Sequence, residues 1–420
     1  MTTEIVFPRH VRVDVYPFSR QRDGEDLIIG RADLGSFAAV PAEAVEILDQ
    51  LAEGRTVGEV QDLYETRYGE TLDLEDFLRT MASKGLVRPH SPETRDAPAI
   101  ERSPRGLRFS WISQRFARAL FSAPMLVLQG VLIVAGVVLV LTKPGLLPGR
   151  QALYFTDHRT LKTLTVLLLG YATLLIHELG HLLAARAVGV ESSLGLSHRL
   201  WVLVAETDLT GLWAIPKKKR YLPLLAGPMF DAASVALLLL VLAAAGRWSW
   251  NLPGTLVELA RALVVVYWLR LLWQCFFFVR TDFYYVLASL FDCKNLLGDT
   301  EAFLRNGFAR LFSWVRFTDQ SHLPPTERRM IRVYGVVWLI GRAAAFWVLF
   351  FVTIPLFAAY SKGIGASIRS GYAFHHYEFL DAVFLVILFF IPLVAGLALW
   401  MSSLYRSWRI RWSTQAKSYI

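Results

Sequence analysis

The sequence predicts a mostly α-helical polytopic membrane bundle of about six spans, with a small α+β winged-helix-like soluble domain at its amino terminus. Three observations predict it. Of the 420 residues, 54% are hydrophobic and the mean hydropathy is +0.40, which is too apolar for a soluble chain of this length. The apolar residues concentrate after residue 119, in runs long enough to cross a bilayer. The first 95 residues are instead polar and mixed, with short stretches of both strand and helix periodicity. The same polar start predicts that there is no amino-terminal signal peptide.

Residues 1–95 read as one small domain. His10 to Pro17 and Asp26 to Ile29 alternate as strands do. Pro41 opens a helix whose apolar face is Ala44, Val45, Ile47, Leu48 and Leu51, and Gly54 closes it. Val57 to Tyr68 forms a second helix, and Leu74 to Lys84 a third, entered through Asp73 and ended by Gly85. Two strands and three helices in that length predict a winged-helix-type module. Residues 96–118 form a basic linker, with Arg102, Arg105, Arg108, Arg115 and Arg118 among aromatic residues that suit a headgroup zone, such as Trp111 and Phe116.

Residues 119–303 form a membrane core, 304–332 a basic loop, and 333–420 carboxy-terminal membrane helices with a basic tail. Spans are expected near 123–142, 162–188, 221–245, 262–282, 333–360 and 380–402. The cation clusters are the linker, Lys217 to Arg220, the group Arg305, Arg310, Arg316, Arg328 and Arg329, and the tail group Arg406, Arg409 and Arg411. With this count all of them fall on one side, so both termini are expected in the cytoplasm. The net charge of +9 is then an anchoring signal rather than one for nucleic acid. Cys275 and Cys293 are expected to be packed free thiols.

His177-Glu178-Leu179-Gly180-His181 interrupts the apolar run from Leu161 to Val188. Ionisable groups at that depth are costly and usually functional. Two imidazoles at i and i+4 share a helix face, which is the zinc-hydrolase arrangement H-E-x-x-H. His177 and His181 would supply two ligands of a catalytic zinc, which takes three protein ligands and a water. Glu178 is turned toward that water and can act as general base. Gly180 leaves room for close approach of backbone or substrate. The third ligand must come from elsewhere, and Asp282, Asp231, Glu206, Asp208 and His198 are the candidates. Both Asp282, expected at the inner end of the fourth span, and Asp231, within the third, reach the metal level. Arg270 lies at a depth where it could pair with Asp231 and so occupy it.

The pentapeptide in a membrane span, the later Ala226-Gly227-Pro228 and the Thr281-Asp282 pair resemble the site-2 protease family of intramembrane zinc metallopeptidases. Ala205 to Trp213 and Arg280 to Tyr285 resemble a bacterial branch of peptide zinc metalloproteases within it. The resemblance covers about residues 120–300 and implies that Asp282 is the third zinc ligand. It also suggests a substrate-orienting role for position 231, where that family commonly carries Asn. The chain differs from the family pattern in having Phe283 after the aspartate and Phe276-Phe277-Phe278 before it. The amino-terminal element order, with Gly85-Leu86-Val87 at its end, resembles the PqqD-like peptide-recognition fold, and a generic winged-helix scaffold fits the same order. Residues Glu191 to Trp213, with alternating Trp201, Leu203 and Ala205, suit either a hairpin that holds substrate by strand addition or an ordinary connecting loop. His375-His376 is expected at the outer interface, on the side away from the metal.

The expected function is hydrolysis of a peptide or membrane-anchored precursor captured by the amino-terminal domain, with the lipid bilayer and export or modification proteins as partners. The alternative is a non-catalytic peptide-binding component of an export or immunity system, to which an intact Glu178 is superfluous. A di-metal desaturase would need several histidine clusters, and the sequence carries one.

Overall fold

The computed structural model describes residues 6–23, 26–31, 34–69, 72–90, 107, 109, 111–155, 159–199, 202–293, 295–310, 317–321, 323–355, 358, 362 and 391–416. Two compact units divide the chain: residues 1–121, 181–195 and 207–223 in one, and 122–180, 196–206 and 224–420 in the other.

In the first unit, β1 (Val13–Val15) pairs antiparallel with β5 (Val87–Pro89), bringing the two ends of the amino-terminal domain together. An antiparallel sheet of β2 (Ser19–Asp23), β3 (Asp26–Arg31) and β4 (Ser36–Val40) has β3 in the middle. Five strands therefore stand where the periodicity predicts two. The reason is local. β2 reads Ser-Arg-Gln-Arg-Asp and has no apolar alternation; its register along β3, Ser19 opposite Gly30 to Asp23 opposite Asp26, holds it instead.

The helices follow their sequence signals closely. α1 (Ala42–Ala52) buries Ala44, Val45, Ile47, Leu48 and Leu51, the face its spacing predicts. α2 (Val57–Tyr68) opens with a capping box, Thr56 accepting from the Glu59 backbone N–H and Glu59 from that of Thr56, and closes at Gly69 with φ of 68°. α3 (Leu74–Ser83) starts where the Asp73 carboxylate accepts from the Asp76 N–H at 3.0 Å. These faces meet Phe7, Val13, Ile29 and Leu86 in one apolar core.

The sheet also packs on a turn that precedes a membrane-length helix. The 3-10 turn Thr210–Ala214 contacts β2, β3 and β4. Beyond it, Arg220 donates from Nη1 to the Asp23 carboxylate at 2.9 Å and from Nε to the Ile215 carbonyl, and stacks over the Trp213 ring. The Arg220 side chain is 3% exposed and that of Asp23 12%. Breaking a buried pair on one side strands the other charge, so Asp23→Ala should destabilise this unit by about 3–5 kcal/mol. Thermal melting of the full chain checks this; an unchanged midpoint would show that the pair contributes nothing.

The second unit holds α5 (Ala123–Thr142), most of α6 (Arg159–Ala187), most of α7 (Lys217–Arg247), and α8 (Gly254–Gln274), α9 (Asp282–Leu290), α10 (Leu296–Ala309), α11 (Pro325–Val348) and α12 (Ile391–Ala416). The short α4 (Gln114–Leu120) belongs to the first unit. The chain is mostly helical, and among the described residues four helices are long and apolar enough to cross a membrane: Ala123–Thr142, Leu161–Ala187, Lys217–Arg247 and Pro325–Phe351. In α5 only Gly136 is buried, and Val127, Leu128, Val131 and Val134 are exposed. An apolar face of that extent suits lipid better than water. Gly136 is buried because α7 crosses there; a Cβ at that position would lie 2.5 Å from the Ala236 Cβ.

The other two expected spans differ. The fourth, 262–282, is not one helix: α8 stops at Gln274, carries Glu258, Arg261 and Arg270, and is followed by a break before α9 starts at Asp282. The sixth, 380–402, lies outside the described residues up to 390, and α12 continues from Ile391 with the shorter apolar stretch Leu393–Tyr405. Arg102, Arg105, Arg108, Trp201, Arg316 and the His375-His376 pair also lie outside the described residues. β6 (Ser193–Arg199) and β7 (Val202–Asp208) form the hairpin expected as one of two readings of that segment. Both cysteines are free; Cys293 is buried, and Cys275, expected to be packed, is exposed.

Candidate metal centre

His177 and His181 sit on successive turns of α6, where helical spacing turns both rings to one face. A close helix crossing backs that face. A Cβ on Gly180 would lie 3.0 Å from the Phe230 ring and 3.2 Å from the Ala226 carbonyl oxygen, so the missing side chain admits the α7 backbone. Both imidazoles are nearly fully buried, at 3% and 2% exposure.

Each ring nitrogen Nδ1 faces an oxygen that can only accept. His177 Nδ1 donates to the Asp231 carboxylate at 2.8 Å, and His181 Nδ1 donates to the Pro223 carbonyl at 2.7 Å. With the protons on Nδ1, a neutral ring carries its lone pair on Nε2. His177 Nε2 lies 3.2 Å from Asp282 Oδ2. That separation suits either a hydrogen bond from a protonated ring or a cation held between a neutral ring and the carboxylate. A tetrahedral ion with bonds of about 2.0–2.1 Å has ligand–ligand edges of about 3.3 Å, close to the separation seen. His177, His181 and Asp282 each offer a ligand atom, all within 4.8 Å of one another, and this group could hold a metal ion. The donors fit the group: two imidazole nitrogens, one carboxylate oxygen, and outer hydrogen bonds that orient both rings.

Asp282 owes its position to the break after α8. The Gln274 side-chain oxygen accepts from the Asp282 backbone N–H at 3.1 Å. Thr281 caps α9, donating from its hydroxyl to the Gln274 carbonyl at 2.9 Å and accepting from the Tyr284 N–H. The Tyr334 hydroxyl, on α11, donates to the Phe277 carbonyl within the break at 2.6 Å. The Asp282 side chain is 24% exposed, so the group is not closed over on that side.

Asp231 stands outside the three-residue group. It is 1% exposed and held in a fork by Arg270, which donates from Nε to Oδ2 at 2.7 Å and from Nη2 to Oδ1 at 2.6 Å. The expected pairing of the two residues is present, and Asp231 reaches the site through the far nitrogen of His177. Asp208 caps a turn, accepting from the Thr210 N–H at 3.0 Å, and neither it nor Glu206 belongs to the metal-capable group among the described residues. The side chains of His198 and Leu203 are not among those described. Glu178 is buried beside His177 on the same helix.

Sequence reasoning missed Pro223 and Gln274. A backbone carbonyl leaves no mark in a sequence. Gln274 does: it is the one amide in the apolar run 262–279. No protein-family profile, curated protein or solved structure matches this chain.

Proposed function

We propose that this chain is a zinc-dependent intramembrane endopeptidase of the site-2 protease type, acting on a peptide or membrane-anchored precursor. The observation that carries the reading is the grouping of His177, His181 and Asp282, whose ligand atoms all lie within 4.8 Å of one another, with Glu178 alongside. Zinc is the ion this donor set suits in a catalytic site with one open position.

When bound there, zinc supplies Lewis acidity to a water and to the scissile carbonyl. Glu178 takes the proton of that water and passes it to the leaving amine nitrogen. His177, His181 and Asp282 hold the ion, and the outer hydrogen bonds keep the two rings from rotating. A helical substrate must unwind locally for its carbonyl to reach the group.

The amino-terminal domain is the capture module in this reading, consistent with its likeness to the PqqD-like fold. A cavity of about 520 Å³ lies along β4 and is lined by Phe37, Val40, Ile47, Tyr64, Phe77 and Met81. β4 is an edge strand among the described residues, so an extended peptide can add to it and place apolar side chains in the cavity. Six spans with both termini in the cytoplasm of a bacterial inner membrane are part of the same proposal.

The test is metal removal and return. Purified full-length protein in detergent is incubated with a proteome-derived peptide mixture, and the products are read by mass spectrometry. New peptide ends should vanish with a chelator and return with zinc. Cleavage that persists in the chelator, or no cleavage with zinc, contradicts the reading; the second result with peptide still bound favours a binding component.

A further inference from the structure

Metal centres are set by what holds their ligands as much as by the ligands. His181 is held by a backbone carbonyl, which no substitution at that position removes. His177 is held by a side chain, and that side chain is itself held. Asp231 Oδ2 accepts from His177 Nδ1 at 2.8 Å and from Arg270 Nε at 2.7 Å, while Oδ1 accepts from Arg270 Nη2 at 2.6 Å. The guanidinium is fixed in turn. Its Nη1 donates to the Thr173 hydroxyl at 3.3 Å, that hydroxyl donates to the Gly170 carbonyl at 2.8 Å, and the Tyr267 ring lies 4.7 Å from the guanidinium carbon.

This connects three helices: Gly170 and Thr173 on α6, Arg270 on α8, and Asp231 on α7, returning to His177 on α6 one turn beyond Thr173. Charge explains why both partners are needed. Asp282, Glu178 and Asp231 would place three carboxylates around one divalent ion at apolar depth. A forked guanidinium neutralises one of them and occupies both of its oxygens.

We propose that Asp231, locked by Arg270, is the positioning residue of the metal centre: it fixes the proton and ring plane of His177 and does not ligate the ion. The inference rests on the metal-binding reading above and adds to it what sets the affinity. Removing an outer partner of a ligating histidine weakens metal binding by about 10–100-fold.

Two variants separate positioning from simple structural support. Asp231→Asn keeps an oxygen that can replace Oδ2 toward His177 but loses the charge that pairs with Arg270. The double variant Asp231→Leu with Arg270→Met replaces the whole buried pair by apolar groups, a change cores commonly tolerate, and leaves His177 Nδ1 without its acceptor. Co2+ serves as the probe, titrated into full-length protein in detergent, with its visible d–d absorption read alongside melting of the metal-free protein.

The expected result is about 10–100-fold weaker Co2+ binding in the double variant, with its metal-free melting retained, and binding within about threefold of wild type in Asp231→Asn. A double variant that binds as tightly as wild type overturns the proposal. So does Asp231→Asn binding as weakly as the double variant, because the ion pair rather than the hydrogen bond would then govern affinity. Wild-type protein that binds no Co2+ and no Zn2+ overturns the metal reading itself, and the brace with it.

Discussion

If the proposed function holds, Glu178→Gln is expected to lower peptide hydrolysis by about 10²–10⁴-fold, the usual contribution of a general base, and to leave zinc content unchanged. The substitution is nearly isosteric in a buried position, so the packing around it should survive. What is lost is one function, because an amide oxygen does not take a proton from water at neutral pH. Glu178 differs from its neighbours in kind. His177 and His181 each have a named outer partner and a place in the metal-capable group, and Glu178 is not in that group. Mass-spectrometric product counts beside elemental analysis of the same preparation decide the matter. Turnover that survives in Glu178→Gln removes the general-base assignment, and loss of zinc together with turnover makes Glu178 a ligand instead.

Asp282→Ala is expected to reduce zinc affinity by more than 100-fold, beyond the about 10–100-fold typical of an outer partner, because under the proposed assignment it removes one of three protein ligands. Folding should survive. Asp282 is the first residue of α9, partly exposed, and the cap of that helix is Thr281. The backbone N–H that Gln274 accepts from remains in the alanine variant. Competition with a chromophoric chelator reads the affinity directly. Unchanged affinity would take Asp282 out of the ligand set.

The metal-capable pair on α6 was legible because two imidazoles and a carboxylate at apolar depth are costly without a ligand to hold, and helix geometry alone puts both rings on one face. The choice between Asp282 and Asp231 was not legible from spacing. It depends on where the helix before Asp282 ends, and Cys275 to Val279 continues apolar with no Gly or Pro to mark a stop. The break is built from side chains, Gln274 and Thr281, that bond backbone groups a sequence does not reveal. Arg270 signalled a pairing with Asp231 by its depth, but not that the carboxylate would also hold His177. In the amino-terminal domain the helices were legible through their apolar spacing and through end signals such as Asp73. The sheet was half hidden because β2 is polar throughout and gains its place from β3.

The central claim is that one zinc ion is held by two imidazoles and a carboxylate. X-ray absorption at the zinc edge of purified full-length protein tests it most directly. The account predicts four light-atom neighbours at about 2.0–2.1 Å with the outer scattering of two imidazole rings, reduced to one ring in His177→Ala. A sulfur shell at about 2.3 Å, or a wild-type spectrum without imidazole scattering, would contradict it.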